Sequence, residues 1–502
     1  MKSLLSSKAL MRRRRTLSSC QLLPEWLLTP KIHSAPPPIL PPNHAHFLLS
    51  LLLKHQPKRH PSLQVHSQLI TTALHRRPLG EAGVLLWNTL LRHYSLGLYP
   101  QEAIHLYRQM QHQHLPITTN SFTFSFILKA CANLSSVEEG SQFHALVIKQ
   151  GFEFHVYVHT SLVDMYVRCG VLVDALKAFD EMPERNAVTW NVIVTGLAWC
   201  GEISMAWSLF QQMPERDAIS WTGMIDGYAR HRRPVAAMTL LVEMLVEGVL
   251  PTEVTILAVV PAISTVGGLG FGESIHACCE KNGIGLLDVR VENSLIDMYA
   301  KCGSIENSLK VFERMSWRRN LVSWTSVISG FAMHGMASEA AGLFKRMGEH
   351  NVRPNRVTFL SVLNACSHGG LVEEGMKFFS SMVYEHSIEP EIKHFGCMID
   401  MLGRAGRLRE AEKLIGELPG KVNVIVWRTL LGCCNKHGDV EMGERVMRRI
   451  LELERGYGGD YVILSNMLTE AGRFSDAERM RRLMDERHAF KIPGLSLVAG
   501  KD

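Results

Sequence analysis

The sequence predicts an all-α protein, a right-handed α-solenoid of stacked helix-turn-helix repeats. Three observations lead to this fold class. The chain has 502 residues, of which 46% are hydrophobic and 20% charged, which is typical of a folded protein too long for one ordinary core. Short phrases recur along it in a fixed order. The apolar residues inside these phrases have helical spacing, and no strand-rich pattern competes with it.

Three families of phrases define the repeats. LVDMYVRCG at 162 returns as LIDMYAKCG at 295 and MIDMLGRAG at 398. VTWNVIVTG at 188 returns as ISWTGMIDG at 219 and VSWTSVISG at 322, and FTFSFILKACANL at 122 as VTFLSVLNACSHG at 357. Aligning them gives ten units, namely 84–120, 121–155, 156–186, 187–217, 218–252, 253–288, 289–320, 321–355, 356–391 and 392–423.

Unit 156–186 illustrates the predicted hairpin. It contains two apolar helical stripes separated by Gly170, a residue suited to a helix C-cap. Pro183 follows the second stripe, where the chain cannot continue as a helix. A hairpin of this size cannot bury its own apolar face, so we expect neighbouring hairpins to stack. The cysteines that share a repeat position, Cys131 and Cys366, are expected to fill small apolar volumes.

The N-terminal segment differs from the rest in charge. Residues 1–80 hold 12 Lys or Arg and one acidic residue, whereas the remainder holds 42 basic and 47 acidic residues. Residues 1–35, with Arg12 to Arg15, have the composition of an organelle transit peptide, the alternative being a basic nucleic-acid or nuclear-localisation arm. From the arginine run in this segment we expect a mitochondrial location, with the chloroplast as the alternative. Residues 36–83 read as a Pro-rich linker followed by a degenerate repeat.

Metal and membrane sites are not expected. The eleven cysteines include no CxxC pair, which argues against zinc. Residues 254–272 are uncharged, but Pro261 and four glycines within them argue against a membrane span and suggest an inter-helix turn. We also expect no cofactor and no small-molecule substrate.

The phrases VTWNVIVTGLAWCGEISMAWSLFQQMPERD and NLVSWTSVISGFAMHGMASEAAGLFKRMGEHNVRPN resemble the pentatricopeptide repeat family. The alternation of unit lengths resembles the P, L and S types of the plant-type subclass. Residues 424–491 resemble the E-type extension motifs of that subclass, and 492–502 form a tail. In longer relatives a cytidine-deaminase-like domain follows such a sequence, and we expect none in this protein.

The resemblance implies binding of single-stranded RNA, with one base read per unit by the fifth and the last residue of that unit. We call these two residues a reading pair. The alternative is that Asn, Thr and Asp at these places only cap helices and close turns. The predicted pairs are Asn88 with Asn120, Thr160 with Asn186, Asn191 with Asp217, Thr222 with Thr252, Asn293 with Asn320, and Thr325 with Asn355.

The other units are expected to read little. The three L-type pairs serve as spacers, and in the last unit only Asn423 is suited to reading. Hydrophobic second residues either sandwich bases or pack in the core, as Val188, Ile219 and Val322 illustrate. By the family's pairing rules, the ten units in chain order are expected to read this RNA sequence from 5′ to 3′: pyrimidine, gap, A, U, weak purine, gap, pyrimidine, A, gap, gap. The L-type pairs are Ser125 with His155, Leu257 with Asp288, and Leu360 with Glu391.

The resemblance implies an organellar site-specificity factor for C-to-U RNA editing that recruits a deaminase in trans. The alternatives are an RNA-binding factor for splicing, stability or translation, and a solenoid that binds a peptide. We do not expect an enzyme, since no HxE or PCxxC motif of a zinc deaminase occurs. His394 beside Cys397 has no orienting acid and is expected to belong to the scaffold.

Overall fold

The computed structural model describes residues 64–67, 80–111, 119–285, 288–418 and 422–489. Within these ranges the chain forms 24 α-helices and one 3₁₀ turn, which confirms the all-α prediction. The predicted transit peptide, most of the linker and degenerate repeat, and the tail lie outside the described residues.

The helices form twelve consecutive hairpins, and we call the first helix of each hairpin its A helix and the second its B helix. The A helices are α1 (Gly80–Leu96), α3 (Ser121–Leu134), α5 (Val156–Arg168), α7 (Ala187–Cys200), α9 (Ala218–Arg230), α11 (Glu253–Val266), α13 (Val289–Lys301), α15 (Leu321–Met333), α17 (Arg356–Gly369), α19 (Ile392–Arg404), α21 (Val424–His437) and α23 (Gly458–Glu470). The B helices are α2 (Gln101–Gln111), α4 (Val137–Lys149), α6 (Leu172–Asp180), α8 (Ile203–Gln212), α10 (Pro234–Val246), α12 (Leu269–Asn282), α14 (Ile305–Arg314), α16 (Ala337–Glu349), α18 (Val372–Tyr384), α20 (Leu408–Gly416), α22 (Val440–Leu453) and α24 (Phe474–Glu486).

The described residues fall into two compact units, one ending at Ala262 and the other beginning at Ile263. In the first, α1, α3, α5, α7 and α9 pack side by side in chain order, and each contacts the B helix of its own hairpin. In the second, α13, α15, α17, α19, α21 and α23 repeat this arrangement. Each of these two compact parts is therefore an α-solenoid, in which neighbouring hairpins bury the apolar faces that a single hairpin leaves exposed.

Short-range signals begin and end the helices. Asn186 has extended backbone angles, and its side chain accepts a hydrogen bond from the backbone of Thr189, so it is the N-cap of α7. The same helix ends at Gly201, whose φ of 95° lies in the left-handed region that favours glycine. Gly170, the predicted terminator, has a φ of 76° directly after the C-cap of α5.

Small side chains allow adjacent A helices to approach closely. A Cβ atom added at Gly227 in α9 would lie 2.7 Å from the Cβ atom of Ala198 in α7. Cys131 and Cys366 are buried in α3 and α17, as predicted. Burial raises the pKa of each thiol to about 12, so both stay protonated and act as small apolar groups.

The uncharged run 254–272 covers all of α11 except its first residue, the turn after it and the start of α12. The turn uses Gly267 and Gly268 as predicted, but Gly270 and Gly272 lie inside α12, so that part of the turn prediction is wrong. Gly272 instead permits close packing, because an added Cβ atom would lie 2.6 Å from the sulfur of Met298. Among the described residues, no helix is long and apolar enough to cross a membrane.

Candidate nucleic-acid interface

The predicted reading pairs occupy equivalent places between neighbouring A helices. In each pair the fifth residue lies on the A helix of its own unit, and the last residue directly precedes the next A helix. Because successive A helices pack side by side, the two side chains meet at the start of the second helix. The structure links the two residues of all six predicted pairs.

When the fifth residue is asparagine, its amide nitrogen donates directly to the last residue of the unit. In unit 84–120 this bond forms although extra residues follow Pro116. The donor–acceptor distances are 3.0 Å from Asn88 to Asn120, 3.1 and 3.0 Å from Asn191 to the two carboxylate oxygens of Asp217, and 3.3 Å from Asn293 to Asn320.

When the fifth residue is threonine, the hydroxyl group of a third residue connects the pair. This hydroxyl belongs to a threonine at the third position of the next unit. The hydroxyl of the fifth residue also lies within hydrogen-bond distance of the carbonyl oxygen four residues earlier. Because it has one proton, it donates at any moment either to that carbonyl or to the threonine of the next unit. The chains of contacts are Thr160–Thr189–Asn186 (2.9 and 2.9 Å), Thr222–Thr255–Thr252 (2.6 and 3.1 Å) and Thr325–Thr358–Asn355 (2.8 and 3.0 Å).

The third residue of the following unit is a part of the site that the sequence analysis missed. Thr123 donates to the amide oxygen of Asn88 at 2.8 Å. In other units a serine stands at this place, and Ser220 instead donates to the backbone of Asp217. The amide oxygen of Asn191 is then buried without a hydrogen bond from the described residues. The signal was available, because the recurring phrases VTW, ISW, VSW and VTF all carry Thr or Ser at this position.

The capping alternative correctly describes the local role of most of the last residues. Their side-chain oxygens accept hydrogen bonds from backbone N–H groups in the first turn of the next A helix. An asparagine uses only its amide oxygen for capping, so its amide nitrogen stays available as a donor. The capping residues are Asn120, Asn186, Asp217, Asn320 and Asn355.

The hydrophobic second residues are exposed, so the core-packing alternative is wrong for them. Val188 is 60% exposed, Ile219 63% and Val322 53%. Each lies in the first turn of its A helix, three residues before the fifth residue, and therefore on the same side of the helix. Other exposed second residues are Leu85, Phe122, Tyr157, Val254, Val357 and Ile425.

Basic residues near the C-terminal ends of several A helices are paired with acids on the same helix. Each bonds to an aspartate four residues earlier, at 2.6 to 2.8 Å. The positive charge at this end of the helices is therefore compensated, in agreement with the nearly balanced charge beyond residue 80. The pairs are Arg168 with Asp164, Arg230 with Asp226, Lys301 with Asp297, and Arg404 with Asp400.

At the positions expected to act as spacers or to read little, the last residue bonds groups other than the fifth residue of its unit. Asp288 accepts from the backbone and the guanidinium of Arg290, and these hydrogen bonds hold the pKa of its carboxyl below its usual value. Glu391 forms an ion pair with Arg356 at 3.2 Å. Asn423 caps α21 through the backbone N–H of Ile425. Within the described ranges, no hydrogen bond joins the two residues of an L-type pair.

In the C-terminal extension, Arg428 occupies the fifth position of the hairpin that begins at Val424. Its Nε atom donates to both carboxylate oxygens of Asp460 at 3.0 and 2.9 Å, and its Nη2 atom forms an ion pair with Glu454 at 3.2 Å. The guanidinium lies 4.3 Å from the ring centre of Tyr457. Burial raises the pKa of Asp460, although the arginine opposes this effect. An ion pair thus stands where the preceding units place amides and hydroxyls.

His394 and Cys397 do not form a nucleophilic pair. His394 is buried in the first turn of α19, its Nδ1 atom accepts from the backbone of Glu391 at 3.0 Å, and its Nε2 atom bonds the carbonyl oxygen of Arg356 at 2.9 Å. Burial raises the pKa of the Cys397 thiol to about 11. Across the described part of the chain, no group of three His, Cys, Asp or Glu residues could hold a metal ion.

Comparison with known proteins places this architecture in one family. The PPR repeat model matches seven segments, beginning with 86–115 and ending with 394–421, and a PPR repeat family model matches 319–368. An E motif model matches residues 437–499. A mitochondrial pentatricopeptide repeat-containing protein of Arabidopsis thaliana is 48% identical over 464 residues, covering 89% of this chain and 92% of the relative.

A chloroplastic member of the same family from Arabidopsis thaliana is 36% identical, covering 84% of this chain and 64% of its own length. Among solved structures, the maize pentatricopeptide repeat protein PPR10 matches with a TM-score of 0.42 and 16% identity, over 90% of this chain and 81% of its own. A complex of that protein with an 18-nt psaJ RNA element matches with a TM-score of 0.39 and 16% identity, over 89% and 79% of the two chains. From the repeat matches and the 48% identical relative, this chain belongs to the pentatricopeptide repeat family, and it carries an E motif.

Proposed function

We propose that this protein binds single-stranded organellar RNA and reads about one base per hairpin through its reading pairs. The observation that carries the proposal is the recurrence of one arrangement at six places. At each, an amide or hydroxyl on one A helix is linked to a polar residue at the start of the next. The exposed second residues beside these pairs offer apolar surfaces on which a base can pack.

Base contact, rather than the phosphate backbone, dominates the binding in this proposal. The chain beyond residue 80 carries 42 basic and 47 acidic residues, and the basic groups near the A-helix ends are paired with aspartate. Few phosphates would then be neutralised, so the affinity should fall only weakly with salt. A steep salt dependence with no base preference would instead indicate non-specific binding.

We further propose that the protein is a site-specificity factor for C-to-U editing, which recruits a deaminase in trans. The E motif match and the ion pair at Arg428, which replaces a reading pair, favour a non-reading role for residues 424–491. The alternative is RNA binding for splicing, stability or translation without editing.

Organellar RNA from cells with and without the protein tests the editing role, and a lost C-to-U site is expected in its absence. A truncation after Asn423 should keep the RNA affinity, and it should abolish editing. Helicity must be measured alongside, because the truncation exposes an apolar end of the solenoid. Editing that continues with the truncated protein would favour the alternative.

Residues 1–35 are proposed to direct import into mitochondria. The basic composition of this segment supports import, and the relatives named above include one mitochondrial and one chloroplastic protein. A fusion of residues 1–35 to a fluorescent reporter should reach mitochondria. Fluorescence in the chloroplast, cytosol or nucleus would contradict the proposal.

A further inference from the structure

An arginine directly precedes three of the reading residues, namely Asn186, Asp217 and Asn320. In all three cases the guanidinium lies over a phenylalanine ring of the preceding B helix. The distances from the guanidinium carbon to the ring centre are 4.5 Å for Arg185 and Phe179, 5.2 Å for Arg216 and Phe210, and 4.5 Å for Arg319 and Phe312.

The same guanidinium groups bond the end of the B helix. In each case Nε donates to the carbonyl oxygen of the phenylalanine, and Nη2 donates to that of the next residue. These carbonyls lie in the last turn, where a cation is favoured. The phenylalanine carbonyls also accept from the backbone N–H three residues later at 3.3 Å, and the guanidinium adds a second donor to each. The two distances are 3.0 and 3.1 Å for Arg185, 3.2 and 3.3 Å for Arg216, and 3.0 and 2.9 Å for Arg319.

The phenylalanine rings continue this contact to the next hairpin. Each ring meets, nearly edge to face, the tryptophan at the fourth position of the following A helix, which directly precedes the fifth residue of that unit. The ring centres lie 4.9 Å apart for Phe179 and Trp190, 4.8 Å for Phe210 and Trp221, and 4.8 Å for Phe312 and Trp324.

Two other reading residues, Thr252 and Asn355, follow a proline instead of an arginine. Proline restricts the backbone directly, because its ring fixes φ. Of the four connections that lack a proline at this place, three have an arginine there, and Asn120 follows Thr119. In those three connections the arginine ties the residue before the N-cap to the B helix and to the aromatic pair behind it.

We propose that Arg185, Arg216 and Arg319 are positioning residues for base reading. This inference rests on the proposed function, because it assigns to each arginine the placement of the reading residue that follows it. A polar group discriminates between base edges only when it is held to within about 0.5 Å. Arg319 is the most enclosed of the three, with an 11% exposed side chain, and is the best site for a test.

The test selects RNA from a random 20-nucleotide single-stranded pool with the full-length protein and its variants. Arg319→Met removes the charge and the donors but keeps the length of the side chain, whereas Arg319→Lys keeps the charge. Asn320→Asp identifies the nucleotide read by this pair, because the base preference should change there. Arg449→Met removes an exposed cation of α22 that lies far from the reading pairs in sequence, and it is the matched control.

Both Arg319 variants should lose the base preference at that nucleotide by at least about fivefold, the lower end of what one good polar match supplies. The preferences at the nucleotides read by the other pairs, and the helicity, should stay as in the wild type. Retention of the preference in Arg319→Met, its full recovery in Arg319→Lys, or an equal loss at every nucleotide would overturn the inference. A wild-type protein without any base preference would overturn the proposed function, and this inference with it.

Discussion

Replacement of Asp217 by asparagine should change the base preference of one hairpin and leave its fold intact. Asp217 caps α9 by accepting from the backbone N–H groups of Ile219 and Ser220 at 3.0 and 2.9 Å. Asparagine and aspartate are about equally good N-caps, so the free energy of unfolding should change by less than about 1 kcal/mol. Asn320 provides the precedent, since its single amide oxygen accepts both from the backbone and from the partner asparagine.

The base preference should change because the substitution converts an acceptor into a donor. The second carboxylate oxygen of Asp217 can accept from the N3–H group of uracil, whereas an amide nitrogen at that place donates and matches the N3 acceptor of cytosine. A good polar match to a base edge is worth ~1–3 kcal/mol, which is about a 5- to 150-fold ratio of affinities. We expect the wild type to prefer U at this nucleotide by a ratio in that range and Asp217→Asn to accept C at least as well as U.

Selection from a random single-stranded RNA pool defines the preferred sequence of the wild type. Fluorescence anisotropy then gives the Kd of both proteins for two oligonucleotides that differ only by U or C at that nucleotide. Urea unfolding followed by helicity serves as the control for stability. Equal binding of the two RNAs by the wild type, or an unchanged preference for U in the variant, would refute the reasoning.

Two further predictions concern packing and pH. Gly227→Ala should lower the free energy of unfolding by about 1–3 kcal/mol, because the new Cβ atom meets Ala198. Gly342→Ala, in a B helix with open space around it, should raise the free energy of unfolding by up to about 1 kcal/mol. Urea unfolding that changes the stability of both variants in the same direction would contradict this. Burial lowers the pKa of His144 and of His276 below the usual 6.5. As the pH falls, these histidines therefore take up protons in the unfolded chain before they do so in the folded one. The free energy of unfolding should be highest above about pH 6.5 and decrease as the pH drops below it. Replacing both histidines with glutamine should make that fall shallower in urea unfolding between pH 7.5 and 5.5, and a profile parallel to that of the parent would exclude them as its source.

The hairpins could be predicted from the sequence because their signals are local. Gly170 readily adopts the left-handed conformation that follows the end of α5, and Asn186 caps α7 through its own side chain. From residue 121 onward the predicted units begin at the first residue of an A helix, whereas the first unit, drawn from 84, begins inside α1. The reading pairs followed from those boundaries, since the fifth residue and the next N-cap are fixed in position once the A helices stack.

Contacts between hairpins could not be predicted in the same way. Helical periodicity identifies an apolar face but does not say whether a neighbour covers it, so Val188 remained ambiguous between core and surface. The bridging role of Thr189 depends on the distance between two A helices, which no spacing in one helix contains. The position of Gly272 inside α12 is a further example, because the close contact with Met298 arises only after stacking.

The double use of the last residue explains how one scaffold can present different reading pairs. Asn, Asp and Thr all accept the backbone hydrogen bond that begins an A helix, so a change among them keeps the hairpin while altering the donors and acceptors beside it. The fifth residue has the same freedom, since asparagine bonds the last residue directly and threonine bonds it through the next threonine hydroxyl. A leucine such as Leu257 has no group that can bond the last residue. If the reading pairs contact bases as proposed, the base preference can therefore vary from unit to unit at little cost to the helices, provided that the loop before the last residue is held in place.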